Sequence, residues 1–322
     1  MAGRRQKKSG RRSYAWRYRG RIVACVFVEV IIICALVIMI GWNKGVKEWF
    51  EQFEQPVLKE VDISGINSPN AILMQARGGK ILGEINGEAQ IYPASMTKIM
   101  TVILGIENFD DLDEKITLTN EMFSGLYEQD ATQAGFQPGE EVRVIDLLYG
   151  AMLPSGAECC IALADTISGS EADFAELMNK KARKLGMENT HFCDSTGLHN
   201  PDHYSTVKDI AVLMKYCIKN DTFREIVETS RHSTGVTNIH PDGITYYSTM
   251  FKNLSDPTVT GGKILGGKTG YTSEAGHCLV SFAEIEGREY IFVSAGASGA
   301  DGNTIPHIQD AVTVYKDRKS VV

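Results

Sequence analysis

The amino-acid sequence predicts an α/β domain preceded by one membrane-spanning helix. Three observations lead to this prediction. Strand-like segments occur within residues 70–87 and again within 266–298. The stretch between them carries several apolar patterns at helical spacing, and a long apolar run precedes all of these segments. The domain is therefore expected to have an antiparallel sheet built from both of its ends, flanked by helices, with a mainly helical lobe in between.

Each element follows from its own local pattern. Residues 71–77 and 80–87 predict a β-hairpin that turns at Gly78 and Gly79. Helical patterns occur at residues 96–108, 144–153, 159–167, 174–186 and 206–219. The fourth of these helices is expected to end at Gly186, because glycine favours the backbone conformation that closes a helix. The polar segment 107–139 predicts loops; strands are predicted at 266–271, 277–285 and 288–298, with a closing helix at 308–317.

Residues 22–41 are apolar except for Glu29 and predict a single-pass membrane helix. The preceding segment, 1–21, carries nine Arg and Lys residues and no acid. This charge bias predicts a cytoplasmic N-terminus and an extracytoplasmic remainder. A cleaved signal peptide is the alternative, but Trp42 follows the run and no small-residue cleavage site does. Glu29 is interpreted as a protonated or snorkelling side chain, with contact to a membrane partner as the alternative.

After residue 21 the chain carries 24 basic against 40 acidic side chains. This balance excludes nucleic acid as a partner and disfavours direct adhesion to anionic lipid. The cysteines beyond the predicted span show no metal-ligand spacing, so neither a metal site nor a disulfide framework is predicted. Cys159 and Cys160 lie in an apolar helical pattern and are expected to be small core residues.

A serine and a lysine three residues apart form the first candidate site. Ser95 and Lys98 stand at the start of an apolar helical pattern, where residues three apart share one face. A lysine kept neutral can take the proton of a serine and so activate it as a nucleophile. The pattern alone is common, and a helix-capping serine beside a surface lysine is the alternative interpretation.

Two further motifs favour the catalytic interpretation. Lys268, Thr269 and Gly270 stand at the head of a predicted strand, where a second cation would lower the pKa of Lys98. Ser155 follows Pro154 in a loop between two helical patterns and is expected to point into a cleft. An ordinary hairpin turn with a solvated lysine is the alternative for the strand motif.

These motifs, in this order, resemble those of the penicillin-binding proteins and serine β-lactamases. Within that superfamily the sequence is most similar to the low-molecular-mass D-alanyl-D-alanine carboxypeptidases, over residues 68–316. The stretches that carry the similarity are YPASMTKIMT, MLPSGAE, KLGMENTHFCDSTGLHNPDHYSTVKDIA and GGKTGYTSEAGHCLV. The resemblance implies a β-lactamase/transpeptidase-like fold. It also implies an enzyme that acts on peptidoglycan stem peptides and needs no cofactor.

The resemblance also implies roles for the motif residues. Ser95 would form an acyl-enzyme with the penultimate D-alanine, and Lys98 would accept its proton. Ser155 would relay a proton to the leaving amine. Water would then release the acyl group, whereas a β-lactam would remain bound to Ser95 as a slowly hydrolysed ester.

The strand motif would bind the substrate. Lys268 and Thr269 would hold the terminal carboxylate, and Gly270 would be a further substrate-binding residue of the motif, as the resemblance implies. The backbone N–H groups of Tyr271 and Ser95 would form the oxyanion hole, which is typically the largest electrostatic contribution to acyl transfer. A preference between carboxypeptidase and endopeptidase substrates is left open.

Ala157 departs from the family pattern, which has asparagine at this place. An asparagine amide can bond both the substrate carbonyl and the catalytic lysine, and losing such a contact costs about 1–3 kcal/mol. Glu158 follows, but adjacent helical side chains diverge by about 100°, so it is not expected to fill the same space. Substrate orientation and deacylation are therefore in question, while the acylation pair is complete.

Three other functions are alternatives. A serine β-lactamase would need a glutamate to activate water, for which Glu171 and Glu176 are candidates. A zinc peptidase could use His199 and His203, but Asn-Pro-Asp between them disfavours a helix that presents both. A membrane-tethered binder or sensor of stem peptides or β-lactams would explain Ala157, although it would not need a nucleophile beside a base.

The predicted organisation is a basic segment at 1–21, the membrane helix at 22–41, a juxtamembrane stalk at 42–67, the peptidase domain at 68–317 and a tail at 318–322. Other members of the family often carry a C-terminal β-domain and a C-terminal amphipathic anchor. Here the N-terminal helix is expected to take over the tethering.

Overall fold

The computed structural model describes residues 60–254, 256–299 and 305–316. Its strands are β1 (Asn70–Gln75), β2 (Ile81–Ile85), β3 (Lys115–Thr117), β4 (Glu141–Arg143), β5 (Arg231–Ser233), β6 (Thr245–Tyr247), β7 (Thr258–Val259), β8 (Gly262–Thr272), β9 (Gly276–Ile285) and β10 (Arg288–Ala297). Its α-helices are α1 (Lys98–Asn108), α2 (Val144–Met152), α3 (Ala157–Ser168), α4 (Glu171–Leu185), α5 (Val207–Cys217), α6 (Asp221–Glu228), α7 (Thr249–Asn253) and α8 (Pro306–Lys316).

The main sheet has the strand order β2-β1-β10-β9-β8-β7, and all neighbouring strands are antiparallel. Its N-terminal strands, β1 and β2, pair through β10 with the C-terminal strands. Helices α1 to α7 lie between these two groups in the chain. The predicted antiparallel sheet built from both ends of the domain, with a mainly helical lobe between them, is confirmed.

Both faces of the sheet are covered, which explains why its central strands are apolar runs. Successive side chains on a strand point to opposite faces. Ile291 and Val293 of β10 belong to the main hydrophobic core, while Phe292 lies against Tyr315 of α8. The hydroxyl of Tyr315 donates to the carbonyl oxygen of Ser281 on β9 over 3.1 Å. Helix α8 therefore closes the face that the helical lobe leaves open.

The helix boundaries are set by local capping. Helix α4 begins three residues earlier than its apolar pattern, because the hydroxyl of Ser170 accepts the N–H of Asp173 and caps the first turn. It ends where predicted, at Gly186, whose φ of 79° is left-handed. The predicted helix at 96–108 is divided into a 3₁₀ turn, Ala94–Thr97, and helix α1.

The chain is already packed at Val61, whose N–H donates to the carbonyl oxygen of Leu82. Asn67 and Ser68 donate from backbone and side chain to the carboxylate of Asp310 on α8. The predicted cytoplasmic segment and membrane helix lie outside the described residues. No helix in the part of the chain that the structure describes is both long and apolar enough to span a bilayer.

Candidate active site

The hydroxyl of Ser95 lies in the 3₁₀ turn that leads into α1. The flanking residues Ala94, Met96 and Thr97 are buried, whereas Ser95 is partly exposed. Ala94 has a φ of 46°, which is a strained conformation for a residue with a side chain. The turn therefore packs its neighbours into the core and leaves the serine side chain accessible.

Lys98 is buried directly behind this hydroxyl. Its Nζ lies 3.1 Å from Ser95 Oγ and donates to the carbonyl oxygen of Thr196 over 2.6 Å. Only 3% of its surface is exposed. The structure therefore brings the predicted nucleophile and proton acceptor into hydrogen-bond contact.

Lys268 of β8 places a second buried amine at the site. It is 1% exposed, and its Nζ donates to the carbonyl oxygen of Thr269 over 2.9 Å. Burial, followed by the charge of Lys98, holds the pKa of Lys268 well below its usual value. Lys98 and Lys268 therefore place two buried amines at one site.

Gly270 allows β8 to approach the serine turn. A Cβ at this position would lie 2.9 Å from the backbone nitrogen of Ser95, closer than real Cβ atoms come. Beyond Lys263, β9 is the only described strand that pairs with β8. The other edge of the strand-motif segment is therefore not covered by a described strand, and an extended peptide could pair with such an edge.

Ser155 lies in the loop between α2 and α3 in a strained backbone conformation, with φ at 73°. Backbone bonds hold the loop: Gly156 N–H donates to Gly150 over 2.9 Å, and Ala157 N–H donates to Thr132 over 2.8 Å. Ser155 Oγ is buried and has no hydrogen-bond partner among the described residues. The predicted relay is thus held at a strained loop, with a hydroxyl that is hydrogen-bonded to neither lysine.

The first turn of α3 is close to both lysines. Burial raises the pKa of the Cys160 thiol to about 12, although the charges of Lys98 and Lys268 act to lower it. Cys159 and Cys160 are fully buried free thiols, as the apolar pattern predicted. The loop of Ser155, which leads into this turn, therefore borders the site.

Glu158 does not replace the missing asparagine amide. Its Oε1 accepts the N–H groups of Ala134 and Gly135 over 2.6 and 2.9 Å. Burial raises the pKa of this carboxyl. The carboxyl group of Glu158 therefore links the segment around Ala134 to α3. At the asparagine position itself, Ala157 has only a buried methyl group.

A loop that the sequence analysis did not assign holds Lys98. The carbonyl oxygen of Ser195 accepts the hydroxyl of Thr101 on α1 over 2.6 Å, and that of Thr196 accepts Lys98. Glu171 accepts the hydroxyl of Ser195 over 2.6 Å and its N–H over 3.1 Å. Both oxygens of Glu171 are therefore bonded to this loop, and Glu176 is exposed on α4.

His203 connects the same loop to the serine turn. Its Nδ1 lies 3.1 Å from Asp194, and its Nε2 lies 2.9 Å from the hydroxyl of Thr97. Burial alone would raise the pKa of Asp194, but His203, with donors from Thr196 and Gly197, lowers it to about 2. His203 is thus engaged by its neighbours on both ring nitrogens.

His199, the other histidine considered for zinc, stacks edge-on against Tyr92. Its Nδ1 is 3.9 Å from Glu274. Within the described residues, no group of three or more His, Cys, Asp or Glu side chains could hold a metal ion.

Thr269 and Tyr271 follow Lys268 on β8. The hydroxyl of Thr269 lies 2.7 Å from that of Thr249 on α7, a residue that the sequence analysis did not single out. The ring of Tyr271 is 61% exposed and lies against His277 of β9, with ring centroids 4.7 Å apart. No local sequence pattern predicts that Thr249 lies at the site, because its position beside β8 depends on tertiary packing.

The fold and these contacts define a class of enzyme. A serine at the start of a buried helix, a lysine one turn later and a second lysine on the neighbouring sheet edge are the features of the serine acyl enzymes that include DD-peptidases and β-lactamases. The family model for D-alanyl-D-alanine carboxypeptidases of peptidase family S11 matches residues 57–299. The chain therefore belongs to this family.

Curated relatives are similar over most of the chain. The D-alanyl-D-alanine carboxypeptidase DacF of Bacillus subtilis is 35% identical over 231 residues, which cover 71% of this chain and 57% of the relative. DacC of Escherichia coli is 33% identical over 262 residues, which cover 74% of this chain and 58% of the relative. The chain thus spans somewhat more than half the length of these two relatives.

A solved structure extends the comparison to the fold. The Streptomyces K15 DD-transpeptidase superposes with a TM-score of 0.71 at 28% identity, covering 81% of this chain and all of that one. The predicted transpeptidase-like fold is confirmed by this match.

Proposed function

We propose that this protein is a membrane-anchored serine D-alanyl-D-alanine carboxypeptidase that removes the terminal D-alanine of peptidoglycan stem peptides. The observation that carries the proposal is the 3.1 Å contact between Lys98 Nζ and Ser95 Oγ beside β8. Family membership supports the same reaction. The curated relatives are named D-alanyl-D-alanine carboxypeptidases, which supports a substrate that ends in D-alanyl-D-alanine.

Acylation starts from neutral Lys98. The lysine accepts the hydroxyl proton while Ser95 Oγ bonds to the carbonyl carbon of the penultimate D-alanine. The N–H groups of Ser95 and Tyr271 stabilise the oxyanion of the tetrahedral intermediate. The close approach of Gly270 to the nitrogen of Ser95 supports this arrangement, because it brings the strand and the turn to the same place.

Collapse of the intermediate breaks the carbon–nitrogen bond. The proton that Lys98 took from Ser95 passes through Ser155 to the nitrogen, and free D-alanine leaves. For this transfer the Ser155 hydroxyl, which has no hydrogen-bond partner among the described residues, turns toward Lys98 and the leaving nitrogen. Water, activated by Lys98, then attacks the ester, regenerates the Ser95 hydroxyl and releases the shortened peptide. Lys268 and Thr269 bind the terminal carboxylate of the substrate, and Gly270 lets the strand edge approach it.

A β-lactam enters the same sequence of steps. Opening of its ring by Ser95 keeps the leaving nitrogen tethered to the acyl group, so no product departs to make room for water. The adduct is therefore long-lived. Both carboxylate oxygens of Glu171 accept hydrogen bonds from Ser195, so this carboxylate is not free to activate water. This supports slow hydrolysis of the adduct and not the rapid turnover of a β-lactamase.

The tethering is proposed from the sequence. Residues 22–41 span the membrane, residues 1–21 are cytoplasmic, and the catalytic domain lies outside the membrane, near the surface where wall precursors emerge. Protease treatment of intact cells and of cells with opened membranes tests this topology. The domain should be digested in intact cells; its protection there would refute the proposal.

The reaction is tested on the full-length protein in detergent. Incubation with benzylpenicillin is expected to add the mass of one inhibitor to wild type and none to Ser95→Ala, and wild type should release D-alanine from a stem pentapeptide. Rapid loss of the adduct with penicillin turnover would instead indicate a β-lactamase. Binding without any adduct would indicate a sensor.

A further inference from the structure

Thr249 connects two parts of the active site that are far apart in the chain. Its hydroxyl lies 2.7 Å from the hydroxyl of Thr269 on β8. Its N–H donates to the carbonyl oxygen of Leu153 over 3.1 Å. Leu153 stands two residues before Ser155, so one residue contacts both the strand motif and the loop of the predicted relay.

The backbone of Thr249 is fixed on all sides. Its carbonyl oxygen accepts the side-chain amide of Asn253 over 2.8 Å. The preceding residue, Ser248, caps α7 with its hydroxyl and donates its N–H to Ser230 over 2.9 Å. Helix α7 packs against β8. The hydroxyl of Thr249 is therefore held beside Thr269 by the fold and not by a flexible loop.

The two hydroxyls carry two protons but share one hydrogen bond. A hydroxyl can donate once and accept twice. When Thr249 donates to Thr269, the proton of Thr269 is free to point away from α7 toward a ligand. A carboxylate can only accept hydrogen bonds. It therefore binds well when Thr249 donates to Thr269, and poorly when Thr269 donates to Thr249.

We infer that Thr249 is a positioning residue for specificity: it orients the hydroxyl of Thr269 so that the site selects ligands with a free carboxylate beside the scissile amide. This inference rests on the proposed function, in which Thr269 binds that carboxylate. Masking the carboxylate as an ester or amide removes the negative charge to which the oriented Thr269 hydroxyl would donate its hydrogen bond.

The test compares benzylpenicillin, which has a free carboxylate, with its methyl ester. Acylation rates are followed by intact mass for full-length wild type, Thr249→Val and Thr249→Ser. Valine keeps the shape without the hydroxyl, and serine restores the hydroxyl. Thermal midpoints are measured in parallel to identify any variant with a disturbed fold.

Thr249→Val is expected to react about tenfold more slowly with benzylpenicillin, because one charge-assisted hydrogen bond is weakened. Its rate with the methyl ester should change less than twofold, so that the acid-to-ester ratio falls about fivefold or more. Thr249→Ser should restore the ratio.

Equal losses on both ligands would overturn the inference and leave Thr249 a structural residue only, and unchanged rates would overturn it as well. Failure of the proposed function itself looks different, because wild type would then form no adduct with benzylpenicillin.

Discussion

The amine of Lys98 lies closer to the carbonyl oxygen of Thr196, at 2.6 Å, than to any other described partner. A carbonyl oxygen only accepts, so it binds one N–H of the lysine in either charge state. A neutral amine held in this way keeps its lone pair free for another contact, and Ser95 Oγ is 3.1 Å away. The loop that supplies Thr196 is therefore as important for the proposed base as the helix that carries Lys98.

Replacing Glu171 tests the support of that loop. Glu171→Gln should lower stability and slow acylation by benzylpenicillin, because the amide nitrogen cannot accept the N–H or the hydroxyl of Ser195. An unsatisfied buried donor costs about 1–3 kcal/mol, and we expect a loss of that order. Glu176→Gln, on the exposed face of the same helix, is the matched control. A thermal midpoint equal to that of the control would contradict this role.

Adding one methyl group tests the approach of β8 to the nucleophile. Gly270→Ala would place a Cβ 2.9 Å from the nitrogen of Ser95. The strand must then move away, which separates the oxyanion donors by several tenths of an ångström. Acylation should fall roughly a hundredfold, the size of effect seen when one oxyanion donor is lost. Gly65→Ala, where a Cβ meets nothing within 4 Å, should keep the wild-type rate. Equal rates for the two variants would show that the close approach is not needed.

The strands of the main sheet and the contact between Ser95 and Lys98 follow from local sequence patterns. The strands are recognisable in the sequence as apolar runs bounded by turn residues. Gly186 ends α4 because glycine tolerates a φ of 79°. Ser95 and Lys98 meet because residues three apart on a helical turn share a face. In each case, the physical cause acts over a few residues, so the sequence is sufficient to predict it.

Contacts made across the fold were not predictable in this way. His203 bonds to Thr97, which is 106 positions away, and Thr249 bonds to Thr269 only because α7 packs on β8. Neither pair has a spacing that a local pattern could reveal. The strained φ of Ser155 is another example: the loop that holds it is bonded through the N–H of Ala157 to Thr132, which lies far from it in the chain.

The pairing of Asp194 with His203 predicts a pH dependence of stability. The folded pKa of Asp194 is about 2, below the ordinary value of 3.8. A depressed pKa stabilises the fold above the unfolded value and loses that contribution as pH falls from about 4 to about 2. The contribution at neutral pH is on the order of 2 kcal/mol. Asp194→Asn should therefore unfold at lower temperature than wild type at pH 7, with the difference shrinking at pH 3. A gap in thermal midpoint that does not change with pH would refute the assignment.

Ala157 offers a gain-of-function test of the proposed mechanism. The side chain is buried in the first turn of α3, beside a Ser155 hydroxyl that lacks a partner among the described residues. Ala157→Asn would add an amide able to bond the substrate carbonyl and Lys98, and a restored contact of 1–2 kcal/mol corresponds to roughly a tenfold rise in turnover.

The amide must fit a packed site, and overpacking costs about 1–3 kcal/mol of stability. Ala157→Leu has a similar size without the amide and serves as the matched control. Release of D-alanine from a stem pentapeptide should rise in the asparagine variant alone, while the thermal midpoint falls in both. If leucine and asparagine slow turnover equally, the methyl group of Ala157 is the better fit to this site, and the missing amide does not limit the enzyme.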